Sequence, residues 1–478
     1  MLIPFNELRK TCANRIRMME TQGHDIKGLQ EQLNSVPDSY DALLAFGRLI
    51  IDVPMRNDFP YREPNDLMSI QKERSEQRRD VIPGFLSDLE IRDKVYGGVY
   101  GRMLGCILGK PFEIGLTLAD IKSYLEGVGA WPLNDFAPAY SPTQTSPLRR
   151  DCIESMKGFV THVQADDDLN YLVLGLKVLE QFGSNFRTQD MAYLWKENIP
   201  YGWNWGPEHT RYCLLAGLWW DHNNKLPEGK EWDDFVALFN DGEELIGAMI
   251  RGDAFGLVNP GRPSLAAEMA WRDGRLTHAK TGLYAEMWVA ASVAAAFHEQ
   301  NAVKVVQAGI DQLPQNSRYA ECMREVLDWS VHDHDWLKTY DRINAKWGYL
   351  GFNGTFNESA TVVNALVNGV DSHGHVDFEQ MICTQVMQGW DCDSAGATTG
   401  CLAGVMAGYR NIPDKWLLPI QDTFHTTVAA EKETKISAFA ERMYQMSRIV
   451  RAAVPVEASK DREGMQVQGD SNNFTVKE

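Results

Sequence analysis

Two short acidic clusters stand directly before apolar, helix-like segments of the sequence. Residues 166–168 are three consecutive aspartates, and residues 391–394 read Asp-Cys-Asp-Ser. Aspartate is common at helix starts, so a capped helix also explains each cluster taken alone. Adjacent carboxylates repel one another unless cations or donors neutralise them, and Mg²⁺ prefers such oxygen ligands. We therefore expect the two clusters to meet and to hold two metal ions about 4 Å apart, a common hydrolytic arrangement.

Helices are the elements that position these clusters. Apolar residues recur at helical spacing over 169–179, and Gly183 ends the pattern. Similar patterns predict helices over 263–274, 281–299, 360–369 and 434–453. Clean period-2 alternation is scarce, and no strand–G-x-G-x-x-G–helix unit is present, which argues against a doubly wound nucleotide-binding fold. The predicted fold class is all-α.

Glycines recur every four residues in two stretches. They stand at 97, 101, 105 and 109, and again at 396, 400, 404 and 408. In a helix each series lies along one stripe, and each interior glycine costs roughly 1 kcal/mol against alanine. A very close approach between two helices offsets such a cost. The alternative is that these stretches are irregular glycine-rich loops.

Composition narrows the classes of partner and compartment. The chain has 478 residues and a formal net charge of −18, so general binding to nucleic acid or to an anionic membrane is not expected. The first residues resemble no secretory signal, and no apolar run is long enough to span a bilayer. None of the eight cysteines forms a C-x-x-C pair. These features predict a cytoplasmic protein with reduced thiols.

Three regions are predicted along the chain. Residues 1–87 read as a helical N-terminal extension, 88–454 as the main domain, and 455–478 as a polar C-terminal tail. Within the main domain, residues 131–147 contain four prolines and cannot form a long helix.

Four stretches, in the same order along the chain as in the family, resemble the ADP-ribosylglycohydrolases. Members of this family have the dinitrogenase-reductase-activating glycohydrolase fold. GGVYGRMLGCILGKPFE (97–113) resembles the family's opening helix, and ADDD (165–168) stands where the family has T-D-D-T or S-D-D. IGAMIRGDAFGLVNPG (246–261) with RLTH (275–278) resembles its central region, and GWDCDSAGATTGCLAG (389–404) its aspartate-rich signature. The resemblance covers roughly residues 88–450.

The resemblance implies a compact orthogonal helical bundle with a central, metal-lined cleft. It implies two Mg²⁺ ions, with Mn²⁺ as a substitute. The implied metal ligands are Asp166, Asp167, Asp391, Asp393 and Ser394.

The resemblance also implies roles in catalysis and substrate binding. Glu113, Asp167 and Asp391 would be catalytic, with Glu113 a mobile carboxylate near the attacking water. The implied substrate-binding residues are Asp168, Arg251, Gly252 and His278. Each has a structural alternative: a surface loop acid for Glu113, a salt bridge for Arg251, and a core position for His278.

The chain departs from the family pattern at several positions. Ala165 lacks a hydroxyl ligand, for which Asp168 can compensate, and Cys106 replaces an aspartate of the opening motif. Trp390 and Gly396 replace a glycine and an asparagine of the signature. We expect these departures to affect which substrate is bound more than whether the metal ions are bound.

The implied activity is Mg²⁺-dependent hydrolysis of a ribosyl N- or O-glycosidic bond. The substrate would be a small ribosyl or ADP-ribosyl compound, or an ADP-ribosylated protein. Five further residues are candidates for the site only because they stand in polar or aromatic loops. They are Trp203, Trp205, His209, Asn353 and Asn357. The two tryptophans could stack on a base or simply pack.

Three other functions are weighed against this one. A class I isoprenoid synthase needs the motif D-D-x-x-D. Here Asp166 and Asp167 supply the first two aspartates, but Asn170 stands at the position of the last one. A D-x-D-x-T phosphatase is disfavoured by Ala395 as the fifth residue. A catalytically inactive structural or ligand-binding member of the same fold, as in a lens crystallin, is the main alternative. The sequence leaves the oligomeric state open.

Overall fold

The chain folds into packed α-helices with very little sheet. The computed structural model describes residues 5–140, 147–220, 231–371 and 373–453, with backbone only for 216–220. In these residues the sheet consists of two short antiparallel strands, β1 (Thr423–His425) and β2 (Glu433–Lys435). The all-α prediction is confirmed.

The helices before the first acidic cluster are α1 (Phe5–Thr21), α2 (Leu29–Ser35), α3 (Tyr40–Leu49), α4 (Leu67–Lys72), α5 (Asp88–Gly109) and α6 (Leu118–Gly127). Those between the clusters are α7 (Asp167–Phe182), α8 (Thr188–Asn198), α9 (Gly206–Trp220), α10 (Glu231–Ala237), α11 (Asp253–Leu257), α12 (Pro263–Gly274), α13 (Lys280–Ala296), α14 (Ala302–Ile310), α15 (Arg318–Asp333), α16 (Trp336–Trp347), α17 (Thr355–Asn368) and α18 (Phe378–Met387). The last are α19 (Cys392–Ala407), α20 (Asp414–Leu417) and α21 (Ile436–Ala453). Short 3₁₀-helices cover Ile50–Asp52, Lys110–Phe112, Arg150–Ser155, Ile246–Arg251, Gly348–Leu350 and Tyr409–Asn411.

Helices α5 and α19 form an antiparallel pair in backbone contact. A Cβ added at Gly97, Gly101 or Gly105 would overlap the carbonyl oxygen of Gly404, Gly400 or Gly396, respectively. The reverse additions would overlap the α5 backbone in the same way. The prediction of a close helix approach is confirmed, because only glycine leaves room for it. This pairing brings the C-terminal end of α5 to the N-terminal end of α19.

Helix α13 lies at the centre of the main core. All its residues are buried, and it packs against α11, α12 and α14. This helix is strongly apolar, yet it carries Glu286 and Ser292 inside the core. In the described part of the chain, no helix combines the length and the apolar character that a membrane span requires.

The N-terminal helices have a small core of their own. Leu8, Ile16 and Leu33 are among the residues of α1–α3 that pack together, and Phe239 of the main region joins them. A buried ion pair of 3.0 Å between Arg15 and Glu243 also links α1 to the main region. The predicted helical character of this region is observed from residue 5 onward. Its division from the rest at residue 87 stays a prediction.

The predicted helix boundaries mostly agree with the structure. Helix α12 has the predicted bounds, and α7 ends before Gly183, whose φ is +73°. Helix α17 begins five residues earlier than predicted, and residues 434–435 pair with β1 before α21 begins. Residues 131–140 contain no helix, whereas 141–146 and the tail predicted at 455–478 lie outside the described residues. All eight cysteines are free and buried.

Candidate functional site

The first acidic cluster begins α7. The carboxylate of Asp166 caps this helix by accepting a hydrogen bond of 3.0 Å from the backbone nitrogen of Asp168. The capped-helix interpretation is therefore right for one oxygen of Asp166. The other oxygen forms an ion pair with the ammonium of Lys110. Asp167 is the first residue of α7 and lines a cavity, and burial and the charge of Asp166 raise its pKa.

The second acidic cluster begins α19 after a tight turn. Gly389 and Trp390 both have positive φ, and the backbone nitrogen of Trp390 donates to the carbonyl of Leu116 over 2.7 Å. The ring of Trp390 packs on Tyr340, which accommodates the bulk noted in the sequence. The turn leaves Asp391 at the helix start, where the helix dipole favours negative charge.

The two clusters meet, as predicted. The hydroxyl of Ser394 donates to a carboxylate oxygen of Asp168 over 3.0 Å. Burial, and next the charge of Asp166, raises the pKa of Asp393. Asp166 and Asp393 therefore lie close enough to feel each other's charge although 226 residues separate the paired Asp168 and Ser394.

Glu113 joins the second cluster to form the first ligand group, defined here as Glu113, Asp391 and Asp393. These side chains each offer an oxygen, and the three oxygens lie within 4.8 Å of one another. Burial, followed by the charges of Asp393 and Asp166, raises the pKa of Glu113 to about 10. One guanidinium, that of Arg149, contacts Glu113. Buried carboxylates this close fit a hard divalent cation, which would relieve their repulsion.

Glu358 on α17 is a fourth acid at this place, and the sequence reasoning missed it. One carboxylate oxygen accepts a hydrogen bond of 3.1 Å from the backbone nitrogen of Asp391. The other oxygen is buried and has no hydrogen-bond partner in the described residues. Burial raises the pKa of Glu358, and the charge of Asp393 adds to this effect. A buried oxygen without a donor, close to Asp391 and Asp393, also fits a bound cation.

A second ligand group consists of Cys106, Asp166 and Asp168, whose ligand atoms also lie within 4.8 Å of one another. Burial raises the pKa of the Cys106 thiol well above its usual value, so the thiol itself carries no charge. Lys110 contacts Asp166, and Arg102 contacts Asp168 over 3.4 Å. Burial lowers the pKa of Lys110, but the neighbouring negative charges, led by that of Asp166, together with the hydrogen bond to Asp166 raise it above its usual value.

The first ligand group and Asp166 of the second line one cavity of about 530 Å³. Besides these acidic side chains, its lining contains four aromatic ones, namely Tyr171, Trp203, Trp205 and Phe352. Ala165 and Asn353 also line it. This volume is in the range of small-molecule sites, and the mixture of charge and aromatic surface suits a sugar that carries a ring system.

Arg251 lies behind this cavity and does not line it. Its guanidinium donates to Glu208 over 3.0 Å and to Asp273 over 2.6 Å. It also donates to the hydroxyl of Thr277 over 3.0 Å. Glu208 does line the cavity, and burial raises its pKa to about 7. The substrate-binding role of Arg251 stays a prediction, and these contacts favour an indirect action through Glu208.

His278 and Gly252 are also absent from the lining of this cavity. The His278 ring contacts the hydroxyl of Thr277 over 2.7 Å and lines a different cavity, beside the N-terminal helices. A Cβ at Gly252 would meet the carbonyl oxygen of Glu286, so this glycine allows close packing on α13. Their predicted role in substrate binding remains untested. His209 contacts Asn204, and Asn357 donates to the carbonyl of Gly351.

A protein-family model matches most of the chain. The family model for ADP-ribosylglycohydrolase matches residues 87–452. Solved structures also match, among them an "ADP-ribosylglycohydrolase-related protein complex" at 20% identity and a TM-score of 0.43. That match covers 75% of this chain and 99% of the other. A search of curated proteins found no match. Because the family model spans most of the chain, this protein belongs to the ADP-ribosylglycohydrolase family.

Proposed function

We propose that this protein is a metal-dependent glycosidase that hydrolyses a ribosyl N- or O-glycosidic bond. The observation that carries the proposal is the first ligand group, whose carboxylates line a cavity that aromatic side chains also line. Mg²⁺ is the proposed ion, with Mn²⁺ as a substitute, because hard divalent cations take carboxylate oxygens. The resemblance implies two ions, although two basic side chains already contact the second ligand group.

The residues of the site can each be given a part in this reaction. Glu113, Asp391 and Asp393 would hold the divalent cation, which would supply Lewis-acid polarisation. Cleavage at the ribose C1 passes through an oxocarbenium-like state, whose positive charge the carboxylate of Asp167 would stabilise. A carboxylate oxygen of Glu113 accepts the proton of the attacking water. This role requires the ionised carboxylate, which the ion pair with Arg149 favours.

The aromatic side chains that line the cavity indicate a class of substrate. Trp203, Trp205 and Phe352 are partly exposed there, and base–aromatic stacking contributes roughly 1–3 kcal/mol per base. We therefore propose a substrate in which a nucleobase or another flat group accompanies the ribose. Free ribosides, ADP-ribosyl metabolites and ADP-ribosylated side chains all meet this description.

The test is a panel of ADP-ribosylated peptides and small ribosides, with release of the sugar measured by chromatography with and without Mg²⁺. We expect Mg²⁺-dependent release from at least one class. The double variant Asp391→Asn/Asp393→Asn should lose both the release and the Mg²⁺-dependent rise in melting temperature. Asp328→Asn/Asp341→Asn removes the same charge from exposed positions and should keep both.

The outcomes separate the proposal from its main alternative. Normal Mg²⁺ binding and hydrolysis by the Asp391→Asn/Asp393→Asn variant would contradict the proposed site. A wild-type protein that binds Mg²⁺ and ADP-ribose without hydrolysing any member of the panel would instead support a ligand-binding role. Ala165 is the observation in favour of that alternative, because no hydroxyl ligand is available at this position.

A further inference from the structure

Lys110 lies inside the acidic site rather than on the surface. It follows the last residue of α5, and its side chain is almost fully buried. Its ammonium donates to the carbonyl oxygen of Ala165 over 3.1 Å and forms an ion pair with Asp166. The ammonium therefore stands among the atoms that would otherwise hold a cation of the second ligand group.

We propose that the ammonium of Lys110 takes the place of a second metal ion, so that the site binds one divalent cation through the first ligand group. This inference rests on the proposed function, because it concerns the same site. It differs from the two ions that the family resemblance implies.

The charges of the two ligand groups differ in the way the proposal requires. In the second group, Lys110 and Arg102 face the carboxylates of Asp166 and Asp168, and Cys106 contributes a neutral thiol. Arg102 also forms an ion pair with Asp253, so two basic side chains face three acids at this place. A divalent cation placed there would be repelled by an adjacent ammonium, and strongly so in a buried site.

The first group retains an excess of acids. Glu113, Asp391 and Asp393 lie together, and Arg149 is the basic side chain in ion-pair contact with them among the described residues. The unpartnered oxygen of the fully buried Glu358 adds a further acceptor at this place. This excess of negative charge, together with an oxygen that lacks a donor, indicates where the single cation binds.

The departures from the family pattern agree with this assignment. Ala165 removes a hydroxyl ligand, and its carbonyl oxygen accepts from Lys110 instead. Cys106, in place of an aspartate, removes a negative charge beside Asp166 and Asp168. Both changes weaken the second ligand group as a cation site, and neither touches the first.

The test counts Mn²⁺ ions per chain in the full-length protein. Equilibrium dialysis followed by elemental analysis gives the number, and electron paramagnetic resonance distinguishes an isolated Mn²⁺ from a magnetically coupled pair. We expect one uncoupled Mn²⁺ in the wild type. Lys110→Met removes the ammonium and frees Asp166, so it should bind two Mn²⁺ with a coupled spectrum. Lys110→Arg keeps the positive charge and should bind one.

Each result decides a different point. Two Mn²⁺ in the wild type would overturn the inference and leave the proposed function intact. No Mn²⁺ in the wild type would overturn the metal-dependent function as well. A folded Lys110→Met variant that still binds one ion would show that Lys110 does not exclude the second. If this variant does not fold, the wild-type number alone decides.

Discussion

Gly109 lies where the paired helices meet the candidate site, and its replacement by alanine tests their link. A Cβ at Gly109 would overlap the carbonyl of Cys392, within the Asp-Cys-Asp segment itself. Gly97 lies at the opposite end of the same stripe, and its added Cβ would overlap the carbonyl of Gly404. The two substitutions are chemically identical, but only the first occurs beside the first ligand group.

The expected loss of stability follows from two opposing effects. Alanine gains about 1 kcal/mol in helix propensity over glycine. Overpacking costs roughly 1–3 kcal/mol, and we expect about 3 because the opposing atoms are backbone and can yield only if a helix moves. The net loss is then about 2 kcal/mol for Gly97→Ala and for Gly109→Ala. At about 2.1 cal/mol/K per residue of unfolding entropy, this lowers the melting temperature of a region the size of residues 87–452 by roughly 3 °C.

Metal affinity separates the two ends of the stripe. Gly109→Ala shifts the start of α19 away from Glu113, so we expect Mn²⁺ binding at least about 10-fold weaker by calorimetry, as for other disturbed ligand supports. Gly97→Ala should leave this affinity unchanged. Gly98→Ala is the packing control, because its Cβ would meet side chains (Leu257 and Val405) rather than backbone and should cost less stability. The reasoning would be refuted if Gly97→Ala and Gly109→Ala weakened Mn²⁺ binding equally. It would also be refuted if neither lowered the stability more than Gly98→Ala does.

Three further predictions concern the surroundings of the cavity. Arg251→Leu should cost about 3–5 kcal/mol in urea unfolding, because it leaves Glu208 and Asp273 as unpaired buried acids, whereas Arg410→Leu at an exposed ion pair should cost less than about 1 kcal/mol. Burial raises the folded-state pKa of Glu208 to about 7, so its contribution to metal-free stability is fully present below about pH 4.5 and is lost as the pH rises through 7. Glu208→Gln should therefore flatten the slope of stability against pH in this window, and an unchanged slope would show that Glu208 does not titrate there. Trp205→Ala should raise KM roughly 10-fold for base-containing substrates with little change in kcat, and an unaltered KM would place the bound base elsewhere.

Periodicity and charge repulsion were the reliable signals in the sequence. The glycine spacing predicted a close helix pair because interior glycines need a compensating contact, and α5 and α19 provide it through their backbones. The unfavourable charge of Asp166–Asp168 likewise predicted a remote partner, and Ser394 is found beside Asp168. Both arguments depend on a local cost that only a tertiary contact can offset, so they could be made before the fold was known.

Other site residues could not be found in this way. Their neighbouring residues include no feature, such as an interior glycine or adjacent like charges, that is unfavourable without a tertiary contact. Glu358 stands among polar residues of α17 and acquires its role only because Asp391 is brought next to it. Lys110 is an ordinary helix-end lysine until the fold buries it. Arg251 and His278 were assigned by resemblance, and their contacts with Glu208 and Thr277 could not be read from spacing.

The polarity of the helices explains why acids and a lysine gather at one point. The clusters at Asp166 and Asp391 stand at the N-terminal ends of α7 and α19, where the helix dipole is positive and stabilises carboxylates. Lys110 follows the C-terminal end of α5, where the dipole is negative and stabilises an ammonium. The antiparallel contact of α5 with α19 is what brings these opposite ends together. The glycine stripe thus sets the distance between Lys110 at the end of α5 and the carboxylates at the start of α19, within which any bound cation has to fit.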